Sequence, residues 1–156
     1  MKVKNIWSSS QSLLVIFDYK NDDQLRDFRK ALDKMLSSSQ INRLVIVVNV
    51  PKEIDKSTLP PHFLIYYHSP NDYTFFGKMK DGQLATELIK NYDLLINFET
   101  PNDKIMEFIK TTYFNKKVIV NAKNSFFDVS LTAAQEDPFA MLDFITTTLE
   151  KIDLYD

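Results

Sequence analysis

Between Asn91 and Asp103 the chain reads Asn-Tyr-Asp-Leu-Leu-Ile-Asn-Phe-Glu-Thr-Pro-Asn-Asp, and few folds accommodate such a passage. Leu94, Leu95 and Ile96 form an unbroken apolar run, flanked by polar residues and too short for a helix. That is how a parallel strand covered on both faces reads. Thr100 then has the chemistry of an N-cap, Pro101 that of a first helical residue, and Asp103 that of the third-position acid in a variant capping box. A strand that hands over directly to a helix is the repeating joint of an α/β fold.

The remaining segments extend the same alternation. Leu13 to Phe17 predicts a first buried strand, ended by Asp18, and Leu44 to Val48 a second, ended by Asn49. Between them Asn21 and Gln24 have capping-box spacing, and Leu25, Phe28, Leu32, Met35 and Leu36 recur on one helical face. Pro51 to Pro61 holds three of the six prolines and excludes a long helix. Phe63 to His68 predicts a third strand, with Phe63, Ile65 and Tyr67 buried on one face and Leu64 and Tyr66 on the other.

A turn cluster, Ser69 to Asp72, follows, and then a short helix lined by Leu84, Leu88 and Ile89. After the 91–103 passage, Ile105, Met106, Ile109 and Tyr113 mark another amphipathic helix, and Lys116 to Asn121 a fifth strand. Lys123-Asn124 resembles a tight connection to Phe126–Leu131, a last strand expected to lie antiparallel at an edge or to bend away. Asp137 and Pro138 open a terminal helix whose stripe is Leu142, Ile145, Leu149 and Ile152. Residues 1–11 carry the one tryptophan, Trp7, in an irregular arm expected to pack over a core edge. Together these predict one α/β domain over 1–156, a Rossmann-like three-layer sandwich with a mostly parallel sheet of about six strands and about four helices.

Composition narrows function chiefly by exclusion. Zero cysteines remove disulfides, thiolate metal sites and cysteine nucleophiles. A net charge of −2 with interspersed Lys and Arg leaves no basic stripe for nucleic acid. The two glycines, Gly77 and Gly82, build no phosphate loop, and no nucleotide cofactor is expected. The apolar runs are too short for a membrane span, and Leu13–Phe17 is too short for a signal sequence, so a cytoplasmic protein is expected, without membrane partners. His62 and His68 match no zinc spacing, and no metal is expected.

In an open parallel sheet, ligands bind beyond the carboxyl ends of the strands. The polar residues expected there are Asp18, Lys20, Asn49, His68, Asn97, Glu99 and Asn121. They suit a small polar ligand, with Asp18 and Glu99 as a carboxylate pair across neighbouring strand ends; the favoured reading is structural, since polar residues end buried strands and cap helices without any ligand. No Gly-x-Ser-x-Gly elbow supplies a nucleophile for His68. The densest aromatic stretch runs from His62 to Phe76, and Tyr73, Phe75 and Phe76 there either fold back on the core or form a patch for a partner subunit.

The order of elements, with Tyr92-Asp93-Leu94-Leu95-Ile96-Asn97 before a helix, then Lys117-Val118-Ile119-Val120 and an Asp137-Pro138 helix, resembles a family of small bacterial α/β proteins known only as a domain of unknown function. In that family the strand usually carries a second acid where Asn97 stands, and a glycine-containing segment follows the fifth strand, where this chain has Asn121-Ala122-Lys123-Asn124. More distantly the pattern is similar to the N-terminal domain of heptosyltransferase-type glycosyltransferases. That likeness implies a Rossmann-like sheet and no activity of its own. A receiver-like reading fails because Tyr19, not a second acid, follows Asp18. The leading expectation is a non-catalytic domain acting through protein contacts, as a homodimer or an assembly subunit. The alternative is a small-molecule or nucleotide-sugar binder with its site at the strand ends.

Overall fold

A computed structural model describes residues 4–154 as an α/β fold built on one parallel sheet. In chain order the elements are β1 (Lys4–Asn5), β2 (Ser12–Asp18), α1 (Asp22–Ser37), β3 (Arg43–Asn49), β4 (Ile65–His68), α2 (Gly82–Leu88), β5 (Tyr92–Phe98), α3 (Asp103–Ile109), β6 (Phe114–Val120), β7 (Val129–Leu131), α4 (Pro138–Glu150) and β8 (Asp153–Leu154). Six strands pair in the order β4-β3-β2-β5-β6-β7, every pair parallel. The chain builds outward from β2 in one direction and then returns to β2's other side with β5. The switch point of this Rossmann-like sheet therefore falls between β2 and β5.

Alternation along the strands divides the core into two layers. Leu13, Val15, Phe17, Leu94 and Ile96 face α1 and α4. Leu14, Ile16, Val45, Val47 and Leu95 face α2 and α3. The central strands are buried on both faces, which is why their sequences run as unbroken Val, Ile and Leu. No helix of the described residues is long and apolar enough to cross a membrane.

Several local expectations are corrected. The N-cap of α3 is Asn102, which accepts from the backbone N–H of Lys104 and Ile105, so Thr100 and Pro101 stay outside the helix. Glu99 turns the chain at φ 65, and Thr100 and Pro101 carry it to the better capping side chain. At α1 only half of the capping box forms: Asn21 accepts from Gln24 N–H, but Gln24 Oε1 finds no partner. β4 starts at Ile65 and leaves Phe63 85% exposed instead of buried. Ile89, Tyr113 and Ile152 fall beyond the ends of their helices, the first two exposed and Ile152 partly buried. β7 is parallel, not antiparallel: Asp128 is tied by its amide and carboxylate to the backbone of Lys117, so the chain has already run back down β6 before pairing begins. The N-terminal arm is not wholly irregular, since β1 pairs antiparallel with β8; Trp7 is buried, and residues 1–3 of the arm lie outside the described residues.

Candidate functional site

Register brings three of the expected strand-end residues into line, because Asp18 lies opposite Asn49 and Asn49 opposite His68. Asn49 Nδ2 donates to Asp18 Oδ1 at 3.1 Å, Asn49 Oδ1 meets His68 Nδ1 at 2.9 Å, and His68 Nε2 meets the Tyr73 hydroxyl at 2.5 Å. A carboxylate only accepts, so the direction of every bond follows. Asn49 must present its amide N–H₂ to Asp18 and its carbonyl to His68; His68 must then carry its proton on Nδ1 and accept from Tyr73 on Nε2. Burial pushes the His68 pKa down to about 4, against the nearby Asp72, which raises it, so the ring is neutral near pH 7. The Tyr73 hydroxyl is pushed up to about 12, first by burial and then by Glu107 and Asp72. The phenol therefore stays protonated at neutral pH, and the chain of bonds ties three strand ends together.

At the switch point the polar side chains are similarly occupied. Lys20 Nζ binds Glu99 Oε1 at 2.9 Å, half-exposed. Burial raises the Asp18 carboxyl; the Asn49 bond opposes this, Glu99 adds to it and Lys20 reduces it. Asn97 is buried and donates to the Glu99 carbonyl at 3.0 Å, while its Oδ1 lacks a partner. Asn121 Oδ1 accepts from Ala133 N–H at 2.8 Å, holding the exit of β7. Its φ of 61 supplies the left-handed turn for which a glycine would otherwise serve.

The crevice bounded by Asp18, Lys20, Gln24 and Glu99 has a volume of about 40 Å³. Phe17, Phe28 and Phe98 fill the space beneath it, with Phe28 stacked on Phe17 at 4.2 Å and edge-on to Phe98 at 5.0 Å between ring centres. A crevice of that volume has room for one water molecule, whereas small-molecule sites run to roughly 300 Å³ or more. Asp18, Asn49 and His68 are thus brought together, Glu99 sits across the switch point with Lys20, and Asn97 and Asn121 serve the backbone. No group of three or more metal-ligating side chains occurs among the described residues.

The aromatic stretch after β4 has a different character. Tyr73 and Met79 pair as an antiparallel bridge, Thr74 N–H donates to the Lys78 carbonyl at 2.7 Å, and Gly77 N–H to the Thr74 carbonyl at 2.8 Å. With Gly77 at φ 81 this is a hairpin whose turn ends in a left-handed residue, a position that suits glycine. Its foot is clamped: Lys56 Nζ binds Asp72 Oδ2 at 2.6 Å and the Tyr67 carbonyl at 3.3 Å, Asp72 closes a capping box on Ser69, and Lys80 N–H donates to the Asp72 carbonyl. Phe75 and Phe76 stand at the tip, 98% and 93% exposed and edge-to-face with centroids 5.5 Å apart. Tyr73 is half-buried instead, between His68, Lys104 and Phe108.

Two structural residues escape pattern reading. Asp93, in the motif that carries the family resemblance, accepts from the backbone N–H of Gln11 and Ser12 and from Asn115, stapling β2 to β5 at the amino end of the sheet. Lys56 shares its connector with Lys52, and nothing in the local sequence marks it as the one that meets Asp72. Compared with known proteins, residues 1–142 match the model of a family of unknown function (DUF6913). No curated protein and no solved structure matches the chain.

Proposed function

We propose, for a chain that belongs to the DUF6913 family of unknown function, that it is a non-catalytic α/β domain acting through protein contacts, with the hairpin 73–79 as its docking element. The observation that carries this reading is the exposure of Phe75 and Phe76, 98% and 93%, on a turn whose shape is already set. Burying a phenylalanine is worth about 1.5–3 kcal/mol, so leaving two in water on an ordered tip is costly without a partner to cover them. Because the foot is clamped by Lys56 and Asp72, little ordering remains to oppose association. The strand-end polar residues support the same reading, since each of Asp18, Asn49, His68 and Glu99 already has a partner within the chain.

The alternative, a nucleotide-sugar site at the switch point, needs several times the 40 Å³ found there. One pair of experiments separates the two. Thermal unfolding against a panel of nucleotides and nucleotide-sugars is expected to be flat, whereas a ligand at a hundredfold its Kd would add about 2.7 kcal/mol and raise the midpoint by roughly 5–10 °C. A photo-crosslinking residue at position 76 is expected to capture protein adducts in cells that the same residue at Lys30, on exposed α1, does not. A ligand-induced shift lost in Asp18→Ala would transfer the function to the crevice.

A further inference from the structure

We propose that the partner is a second copy of this chain, joined by a twofold exchange in which Phe75 and Phe76 of each copy fill a groove beside β4 of the other. This rests on the hairpin being the docking element. β4 is an edge of the six-stranded sheet, and a groove of about 460 Å³ runs along its flank, walled by Leu59, Pro61, Phe63 and Tyr66, with Lys56 and Asp81 among its polar residues. Phe63 lies at the amino end of β4 and the hairpin follows its carboxyl end, and Asp81 at the hairpin's foot joins the two by lining the groove.

Area decides in favour of exchange over simpler self-pairing. A phenylalanine offers about 150–250 Å². Three per copy, exposed by 85%, 98% and 93%, give about 500 Å². Doubling across the twofold brings about 1,000 Å², the size at which specific interfaces begin, before the groove walls are counted. Tip-to-tip pairing would omit Phe63 and fall below that size. It would also set the exposed Lys78 and Lys80 of one copy against those of the other. In the exchange these lysines face a rim that carries Asp81, 3.8 Å from Lys56, whereas residues 73–80 contain no acid of their own.

Sedimentation equilibrium and light scattering on the full chain across a range of concentrations test this, with Phe63→Ser and the double variant Phe75→Ser, Phe76→Ser. All three positions are exposed, so at concentrations too low for the parent to dimerise the unfolding midpoints should match. The expected result is a dimer for the parent and monomers for both variants. A mixture of the two variants should recover a weaker dimer, because one knob and one groove remain intact in each mixed pair. A parent that stays monomeric overturns the exchange, and capture of other proteins at position 76 would then leave the docking hairpin standing. Monomers that instead bind vesicles of phosphatidylserine and phosphatidylcholine through Phe75 and Phe76 overturn the exchange and the protein-contact reading together. A dimer that survives loss of Phe75 and Phe76 overturns the exchange and the docking role of the hairpin, and moves the protein contact to another surface; one that survives loss of Phe63 alone overturns only the groove.

Discussion

Protonating His68 would put a charge into a site only 1% exposed and a second N–H against Tyr73, which must then reverse its hydroxyl. The folded pKa, about 4, lies below the ordinary 6.5, so between these values the unfolded chain binds more protons than the native one. Stability is therefore full above about pH 6.5, falls as pH drops through the window and levels off below about pH 4, a total of about 3 kcal/mol. Asp18 acts with the opposite sign, since its raised folded pKa lets the native state hold a proton longer and softens the acid end of the loss. The urea midpoint of the parent should drop between pH 7 and 4.5 by clearly more than that of His68→Gln, which has no imidazole to titrate. Equal drops would acquit His68. Removing the middle of the brace is a separate test: Asn49→Leu leaves Asp18 and His68 Nδ1 without their partner and should cost about 1–3 kcal/mol at pH 7 in urea titration.

Elements differ in how much of them local sequence specifies. β2, β3 and β5 were readable because the middle of a strand covered on both faces is an unbroken apolar run, β6 by its apolar end Val118–Val120, and α1 and α4 because their caps and stripes agree. The edges were not. β4 and β7 are short, and their extent depends on which neighbour they meet, so Phe63 passed for a core residue and β7 for an antiparallel strand. At α3, Thr100-Pro101-Asn102-Asp103 offers two capping side chains in succession, and the left-handed turn at Glu99 selects the second. Asn102→Ala should accordingly cost about 1 kcal/mol in chemical unfolding. Thr100→Ala should stay within about 0.5 kcal/mol of the parent. The hairpin foot was equally hidden, since Lys56 and Asp72 meet through tertiary structure. Replacing Lys56 with Met should accelerate amide exchange at Thr74, Gly77 and Lys80 while β2 and β5 amides stay protected. Unchanged exchange at those three amides would show that the turn holds itself.

Across the whole molecule, the strand order places a switch point where open α/β sheets admit ligands, and the aromatic side chains beneath it leave a crevice of about 40 Å³. The sequence located the strand-end residues, but not their mutual bonds, which need register, nor the closure of the crevice, which needs Phe28 of α1 to stack between Phe17 of β2 and Phe98 of β5. Phe28 joins strands on both sides of the switch point, and it is 4% exposed. Phe28→Ala should therefore cost about 3–5 kcal/mol, toward the upper end because rings on two different strands cannot both collapse into the space. If the closed crevice is a structural solution, this loss appears in urea unfolding while the oligomeric state and the hairpin amides of the folded fraction stay as in the parent. A loss below about 1 kcal/mol would mean that the space tolerates being opened. The switch point would then again be a credible place for a ligand.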